Sequence, residues 1–354
     1  MSNLIQNLIL REKIIDAIRD YFKKENYHEV ETPLLVPSVI PESYLEHFTT
    51  TLFDRRRNKK KMFLASSPEA SLKKLLVLGL GNCFQITKCF RNGETDSNLH
   101  SPEFTILEWY RVGVDYTAIM NDCERLFVHI FNKVKSQPFD FAQGKNAKVK
   151  ITSKNSKLNK LGLFYKNHNI DLSLPWERIS VIEALKKYAN VDFDEIPNLE
   201  KICKKAKLKG YSVDKNNNWE EIFNQIFLNE VEPHLGTKGK PTIIYDYPKQ
   251  MAALAKLKKD DPRVSERFEL YIGGLELGDC YSELTDWKEQ EARFNKELDL
   301  IQKSNKTSVK PDKDFIISLK KGLPECAGMA MGIDRIVMLF LDLNSIRDSK
   351  FTVD

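Results

Sequence analysis

Three separate segments of this 354-residue chain place charged side chains inside otherwise apolar, strand-like sequence. A buried charge is costly unless it has a partner, so such positions are candidates for ligand contacts. The first segment is FRNGETDSNLHSPEFTILEWYR, in which Arg91 ends one predicted strand and Glu108 and Tyr110 lie on the next. A guanidinium matches phosphate oxygens and stays charged, so this predicted hairpin favours binding of a phosphate-containing ligand.

The two other segments add carboxylates and a second arginine. RFELYIGGLELGDCYSELTD carries Glu269 and Glu276 on strand-like stretches separated by two glycines, and paired carboxylates suit a Mg²⁺ ion that bridges phosphates. AGMAMGIDR is a small-residue strand that runs into a helix carrying Arg335, a second candidate phosphate contact. Each segment alone also has a purely structural explanation, such as a surface Arg–Glu pair or helix packing. Their joint occurrence favours a site for a nucleotide and a metal ion.

The elements predicted around these segments lack a regular strand–helix–strand repeat. Apolar residues at helical spacing predict helices from about Leu4 to Lys24 and from Ala70 to Leu78. Strands are predicted at Cys83–Phe90, Phe104–Tyr110, Thr242–Tyr245, Arg267–Ile272 and Leu275–Asp279, and Gly328–Gly332 leads into a predicted helix at Ile333–Leu341. Strand hairpins flanked by helices indicate an α+β fold with a mainly antiparallel sheet.

Two segments interrupt this pattern. Residues 141–170 contain seven lysines and no acidic residue, and their Asn- and Ser-rich sequence predicts a solvated surface insertion. A docking patch for an acidic partner is the alternative interpretation. Residues 175–238 are predicted to be mostly helical. We therefore expect a single domain, residues 1–354, that carries a lysine-rich and a helical insertion.

The composition excludes several protein classes. With a formal net charge of +5 and a mean hydropathy of −0.43, neither a strongly basic nucleic-acid coat nor an acidic disordered tail is expected. There is no long apolar run of the kind that spans a membrane. The N-terminal sequence lacks a secretory signal, and the six cysteines include no C-x-x-C pair. We expect a cytoplasmic globular protein with reduced cysteines and no membrane partner.

Three motifs, in order along the chain, resemble those of class II aminoacyl-tRNA synthetases. They are EVETP at 29–33, FR followed by HSPEF between 90 and 104, and GLP followed by GIDR between 322 and 335. The flanking sequences SPEASLKKLLVLG, PEFTILEWY and GLELGDCYSELTD are similar to the lysine branch of the family. The resemblance runs from about residue 10 to 342 and implies a class II catalytic domain with a mainly antiparallel sheet flanked by helices.

Within the lysine branch, the sequence resembles the elongation factor P–(R)-β-lysine ligases, which lack the N-terminal OB-fold of the synthetases. Motif 1 begins near residue 27, which leaves room for one helix before it. LEWYR at 107–111 and Ala330, beside the expected amino-acid pocket, also match these paralogues. The resemblance implies an ATP- and Mg²⁺-dependent ligase that activates (R)-β-lysine, or lysine, as an adenylate and transfers it to a lysine of elongation factor P. It also implies a homodimer.

The resemblance assigns roles to individual residues. Arg91 is expected to bind the ATP α-phosphate and the substrate carboxylate, and Arg335 the γ-phosphate. Glu269 and Glu276 are expected to bind Mg²⁺. Glu94, His100 and Glu276 are also expected to contact ATP. Phe104 is expected to stack on the adenine ring. In the expected amino-acid pocket, Glu69 binds the α- or β-ammonium. Glu283 and Tyr110 receive the ε-ammonium, with Glu108 nearby. Ser67, Asp279 and Ala330 complete the expected pocket. An acidic pocket end suits a cationic side chain and disfavours neutral competitors.

Two positions depart from the family pattern. The family's Asn-Gly is replaced here by Asp279-Cys280. An ionised aspartate would repel the substrate carboxylate unless it contacts a displaced ammonium, is protonated, or is turned away from the ligand. The motif 2 loop, GETDSNLH, is one residue longer than the usual form and lacks an arginine, which leaves its adenine and acceptor contacts open.

Other functions are compatible with the same sequence motifs. One is a lysine–tRNA ligase activity without its own anticodon domain; tRNA binding is not expected but stays open. Another is a non-catalytic, synthetase-like regulatory subunit, which the retained Arg91, Glu269, Glu276 and Arg335 argue against. Activation of aspartate or asparagine is disfavoured because Glu283 and Tyr110 suit a cation better than an amide or a carboxylate.

Overall fold

The computed structural model describes residues 2–95, 97–135, 161–215, 217–304 and 306–352. The helices are α1 (Ser2–Lys24), α2 (Glu69–Val77), α3 (Tyr116–Lys135), α4 (Val181–Ala189), α5 (Leu199–Leu208), α6 (Trp219–Ile226), α7 (Trp287–Lys303), α8 (Lys313–Lys320) and α9 (Ile333–Leu341). The strands are β1 (His28–Glu29), β2 (Leu35–Val36), β3 (Thr49–Phe53), β4 (Lys59–Leu64), β5 (Cys83–Phe90), β6 (Glu103–Val112), β7 (Gly162–Tyr165), β8 (His168–Asp171), β9 (Glu177–Ser180), β10 (Thr242–Pro248), β11 (Val264–Ile272), β12 (Leu275–Ser282) and β13 (Cys326–Gly332). Short 3₁₀ or π segments lie at Phe193–Glu195, Phe227–Val231, Glu232–His234, Lys249–Met251 and Ile346–Ser349. None of the helices in these described ranges combines the length and apolar character needed to cross a bilayer.

The chain divides into two units with separate internal packing. The first unit comprises the described residues of Met1–Val114, Glu283–Met338 and Leu343–Asp354, and the second comprises those of Asp115–Ser282 and Leu339–Asp342. The candidate residues for amino-acid and phosphate binding, except Asp279 and Glu276, fall in the first unit. Asp279 and the carboxylates predicted to bind metal fall in the second.

The sheet of the first unit has the strand order β1, β5, β6, β13. β1 pairs with β5 in parallel, and the other neighbours are antiparallel. On one face α1 packs through Phe22, whose ring lies 4.8 Å from that of Phe84 and 5.2 Å from that of Trp109. β6 lies between β5 and β13 in this sheet. Its residues are therefore held in a fixed register by both neighbouring strands.

A second, smaller sheet of the first unit has the order β2, β4, β3. β3 and β4 form a hairpin in which Thr49 pairs with Phe63 and Phe53 with Lys59. Every residue of β3 is exposed, and it is the edge strand of this sheet. The hairpin has no alternation of apolar and polar residues, which is why the sequence pattern does not predict it.

The sheet of the second unit has the order β12, β11, β10, β9. β9 and β10 are parallel, the other pairs antiparallel, and Glu269 on β11 lies opposite Asp279 on β12. A helical layer covers part of this sheet, with Leu185, Phe223 and Ile244 in one buried cluster. Its first helix, α4, starts with a capping box at Ser180, which satisfies backbone N–H groups at the helix start.

The predicted α+β fold with a mainly antiparallel sheet is confirmed, and each predicted strand lies within an observed one. Part of the lysine-rich segment differs from its prediction. Residues 141–160 lie outside the described residues, but 161–170 form the hairpin β7–β8, in which Leu163, Tyr165 and Ile170 are buried. Apolar residues at strand spacing in GLFY bury one face there, so this part is not a solvated insertion. The helical segment 175–238 is confirmed, apart from strand β9 at its start.

Candidate active site

Six side chains of the first unit form what we call the acidic cluster: Ser67, Glu69, Lys73, Glu108, Tyr110 and Glu283. Glu69 and Lys73 lie one turn apart on α2, so they project from the same face of that helix. Glu108 and Tyr110 lie two apart on β6 and share one face of the sheet. The backbone N–H of Glu283 donates to Cys326 O at 2.9 Å, which fixes this residue beside β13.

Lys73 lies between two carboxylates of the acidic cluster. Its Nζ is 2.5 Å from Glu69 Oε1 and 2.5 Å from Glu283 Oε2. The side chains of Lys73 and Glu283 are only 2% and 1% exposed. Burial disfavours the ammonium, but the charges of Glu283 and Glu69 outweigh burial and raise the pKa of Lys73. The ammonium form of Lys73 is thus favoured inside the cluster.

Glu108 is held by two hydroxyl groups. Ser67 Oγ donates to Glu108 Oε2 at 2.7 Å, and Tyr110 OH donates to Glu108 Oε1 at 2.8 Å. Burial, followed by the charge of Glu69, raises the pKa of Glu108 to about 8. Burial also raises the pKa of Glu283 to about 8, against the opposing effect of Lys73. The cluster therefore has more carboxylates than its own lysine can neutralise, and an added cation would be stabilised there.

β13 borders the acidic cluster with small residues. Gly328 lies opposite Tyr110, and Ala330 opposite Glu108. A Cβ at position 328 would collide with the Tyr110 ring and lie 2.7 Å from Glu283 Oε1. Glycine is required at this position by that close approach. Ala330 is half-buried and faces Glu108 across the pair of β6 and β13.

Arg91 lies directly after β5, at the start of the motif 2 loop. Its backbone N–H donates to Pro102 O at 2.9 Å, and its guanidinium lies 5.3 Å from the centre of the Phe104 ring. Nη1 is 3.9 Å from Glu94 Oε1. Nε is shielded from solvent and has no hydrogen-bond acceptor among the described residues. A buried donor without an acceptor is unfavourable, so Arg91 is suited to bind an anion.

Arg335, on α9, contacts the far end of the same loop. Its Nε donates to Leu99 O at 3.3 Å, and its Nη2 lies 3.0 Å from His100 Nε2. The preceding residue, Asp334, accepts from Arg11 Nη1 at 2.6 Å and from the Thr105 backbone N–H at 3.0 Å. These bonds tie the start of α9 to the start of β6 and so hold Arg335 beside the motif 2 loop.

In the second unit, Arg267 connects the predicted metal-binding and substrate-binding carboxylates. Its Nε and Nη2 bind the two oxygens of Asp279, both at 3.0 Å, and Nη2 also donates to Glu269 Oε1 at 2.8 Å. Tyr281 OH donates to Asp279 Oδ2 at 2.7 Å. Both oxygens of Asp279 are therefore occupied by partners within this unit. The sequence motifs did not assign Arg267 a role, because pairing across β11 and β12 depends on their register.

The predicted metal-binding carboxylates are neighbours across the same strand pair. Glu276 lies opposite Tyr271, whose OH donates to Glu269 Oε2 at 2.9 Å. Burial raises the pKa of Glu269 to about 8, Arg267 opposes this shift, and Glu276 adds to it. A divalent cation would relieve this repulsion, so the donor set fits one. No group of three or more His, Cys, Asp or Glu side chains able to hold a metal occurs within the described ranges.

Lys73, in the acidic cluster, is a second residue to which the motifs gave no role. Lys73 stands four positions after Glu69 in a predicted helix, and that spacing is the signal for an ion pair. Its second contact, with Glu283, joins residues 210 positions apart, and the local pattern carries no signal for it.

A family model described as tRNA synthetases class II (D, K and N) matches residues 1–351. The chain belongs to this family. Like the family in general, this class II chain is expected to use ATP and a divalent metal.

Two kinds of relative resemble this class II synthetase chain equally well. A lysine–tRNA ligase of Carboxydothermus hydrogenoformans is 34% identical over 97% of this chain and 64% of its own length. Elongation factor P–(R)-β-lysine ligases of Buchnera aphidicola and Proteus mirabilis are 34% and 32% identical, over 98% of this chain and 94% of their own lengths. The chain thus spans less than two thirds of the length of these lysine–tRNA ligases (61–64%) and 94% of the length of the two elongation factor P ligases.

Proposed function

We propose that this chain activates a lysine-type amino acid with ATP, as an aminoacyl-adenylate, and that the acidic cluster binds the two ammonium groups of that amino acid. The observation that carries the proposal is the charge of the cluster. Glu69, Glu108 and Glu283 surround a single cation, Lys73, so full ionisation leaves two negative charges. Lysine and β-lysine each carry two ammonium groups, and either would neutralise this excess.

The raised pKa values support selection of a dication. With the pKa of Glu108 and Glu283 at about 8, the empty cluster retains protons near neutral pH. Bound ammonium groups would lower both pKa values and replace those protons. An amino acid with a neutral side chain would leave a buried carboxylate unpaired, which is the basis of rejection in buried polar sites.

The phosphates of ATP are proposed to bind Arg91 and Arg335. The substrate carboxylate attacks the α-phosphorus, the bond from that phosphorus to the bridging oxygen breaks, and pyrophosphate leaves. Arg91 would stabilise charge on the α-phosphoryl oxygens, and Arg335 would hold the γ-phosphate. Positioning and electrostatics are sufficient for such a displacement, and no protein nucleophile is required.

Glu269 and Glu276 would hold Mg²⁺, which when bound supplies charge neutralisation to the phosphate oxygens. Arg267 would keep Glu269 oriented through the bond from Nη2 to Oε1, which is 2.8 Å long. Asp279 would remain paired with Arg267 and so would not present a free charge to the substrate carboxylate.

The proposed acceptor is a lysine side chain of elongation factor P. The support is similarity over 94% of the length of relatives named for that reaction. The amine of the acceptor must be neutral to attack the adenylate carbonyl, and its attack releases AMP. Transfer to tRNA is the second candidate, because relatives of equal identity are named lysine–tRNA ligases. A homodimer in the cytoplasm stays a prediction.

Pyrophosphate exchange tests the activation step. The purified chain is incubated with ATP, Mg²⁺, labelled pyrophosphate and, in parallel, (R)-β-lysine, (S)-β-lysine, L-lysine and L-asparagine. We expect exchange with a lysine isomer and none with asparagine. Transfer of the labelled amino acid to elongation factor P or to tRNA then assigns the acceptor. No exchange with any lysine isomer would refute the proposed activity and favour a non-catalytic role.

A further inference from the structure

The hairpin of β3 and β4 carries an unusual concentration of positive charge. Six of the seven residues from Arg55 to Lys61 are arginine or lysine. Together with Asp54 they have a net charge of +5, which equals the formal net charge of the whole chain. We call residues 49–64 the basic hairpin.

The residues that the structure describes do not neutralise the cations of the basic hairpin. All six are exposed, and none forms an ion pair with the residues that the structure describes. The one nearby carboxylate, Asp54, is used by the turn itself: it accepts from the backbone N–H groups of Arg56 and Asn58, both at 2.8 Å. Cations packed this closely repel one another, so the arrangement costs stability and is suited to an anionic partner.

The basic hairpin is also held in a defined shape. Besides the turn bonds of Asp54, the Arg57 guanidinium lies 4.7 Å from the centre of the Phe53 ring. At the other strand, Lys61 Nζ donates to Ser308 O at 2.9 Å. A surface fixed in this way loses less conformational freedom on binding than a flexible basic tail.

An open strand edge and apolar side chains accompany the charge. Among the described residues β3 pairs with β4 alone, which leaves its outer edge open there to a further strand. Leu52 and Phe53, at the end of β3 nearest the turn, are 45% and 43% exposed. Apolar contacts with charged surroundings are typical of protein interfaces, and strand addition is a common mode of peptide recognition.

We propose that the basic hairpin is a docking surface for an acidic face of the protein acceptor. The inference rests on the proposed function, which supplies a protein acceptor. The free strand edge and the exposed Leu52 favour a protein over RNA. The Phe53 ring is covered on one side by Arg57, so that side is not available to stack on a base.

The test measures binding of elongation factor P to the full chain by fluorescence anisotropy, without ATP or amino acid, at low and high salt. The variant R55Q/R56Q/K60Q removes three hairpin charges. The control K201Q/K204Q/K207Q removes three exposed charges from α5. We expect the hairpin variant to weaken binding about tenfold at low salt, as for the loss of several surface charge pairs. The control should stay within about twofold of the wild type.

Pyrophosphate exchange in the same variants separates this inference from the proposed function. Exchange should be unchanged in the hairpin variant, because the hairpin is not part of the proposed activation machinery. Two results would overturn the docking surface but not the activation step. In one, the wild type shows lysine-dependent exchange but does not bind elongation factor P. In the other, the wild type and the hairpin variant bind elongation factor P equally. If the variant loses only tRNA binding, the hairpin is an RNA-binding surface. If the oligomeric state changes, the hairpin is a contact between copies of the chain. Either result would overturn the inference.

Discussion

The substitution Glu283→Gln removes one charge from the acidic cluster and leaves its shape almost unchanged. Glu283 is 1% exposed and contacts Lys73 at 2.5 Å, so water cannot replace the missing charge. Two unit charges about 4 Å apart attract by roughly 4 kcal/mol at the effective dielectric constant found near protein groups. Removing one partner of a buried charge pair costs about 2–5 kcal/mol. We therefore expect KM for lysine to rise about a hundredfold, since each tenfold change corresponds to about 1.4 kcal/mol.

The assay is pyrophosphate exchange at varied lysine and at varied ATP, with thermal unfolding to check that the variant is folded. The matched control is Glu12→Gln, the same change at an exposed position of α1 in the same unit. KM for ATP should be unchanged in both variants, and KM for lysine should be unchanged in the control. If the E283Q variant keeps the wild-type KM for lysine, or if it weakens ATP equally, Glu283 does not bind the substrate ammonium and the reasoning is wrong.

Three further predictions follow from the same contacts. Because burial raises the pKa of Glu108 and Glu283 to about 8, lysine should bind more tightly as pH rises towards that value, with proton release on binding. Calorimetry in buffers of different ionisation enthalpy measures that release, and pH-independent affinity would contradict the prediction. Asp279→Asn should lower the free energy of unfolding by about 1–3 kcal/mol in denaturant, because Arg267 loses a charged partner. The same substitution should leave the ratio of activities on α- and β-lysine unchanged. A shifted ratio would place Asp279 at the ligand. Gly328→Ala should abolish lysine-dependent exchange, because its methyl would lie 2.7 Å from Glu283 Oε1, whereas near-normal exchange would show that the pocket can expand.

The strands of the larger sheet in each unit were largely predictable because their residues alternate or form short apolar runs between turn residues. Cys83–Phe90 is predicted and observed with the same bounds. The basic hairpin was not predictable in this way, since β3 buries no face and so has no apolar stripe. The hairpin β7–β8 was missed because the lysines before and between its apolar residues dominate the composition of that segment.

The candidate site was predictable by motif but not by local pattern. Glu69 lies on α2, Glu108 on β6 and Glu283 just after β12, and motif order alone brought these three positions together as candidates. Lys73, the partner of Glu69 and Glu283, was predictable from helical spacing only for its bond to Glu69. The bond from Arg267 to Asp279 depends on strand register, which local sequence does not fix. The partner that neutralises the Asp279 charge could therefore not be predicted.

The most direct test of the central claim is pyrophosphate exchange with L-lysine and (R)-β-lysine beside norleucine, which has the length of lysine without its ε-ammonium. The acidic cluster, with three carboxylates around one lysine, predicts exchange with at least one lysine isomer and no detectable exchange with norleucine. Comparable exchange with norleucine, or no exchange with either lysine isomer, would contradict the assignment of the cluster as a site for a doubly cationic amino acid.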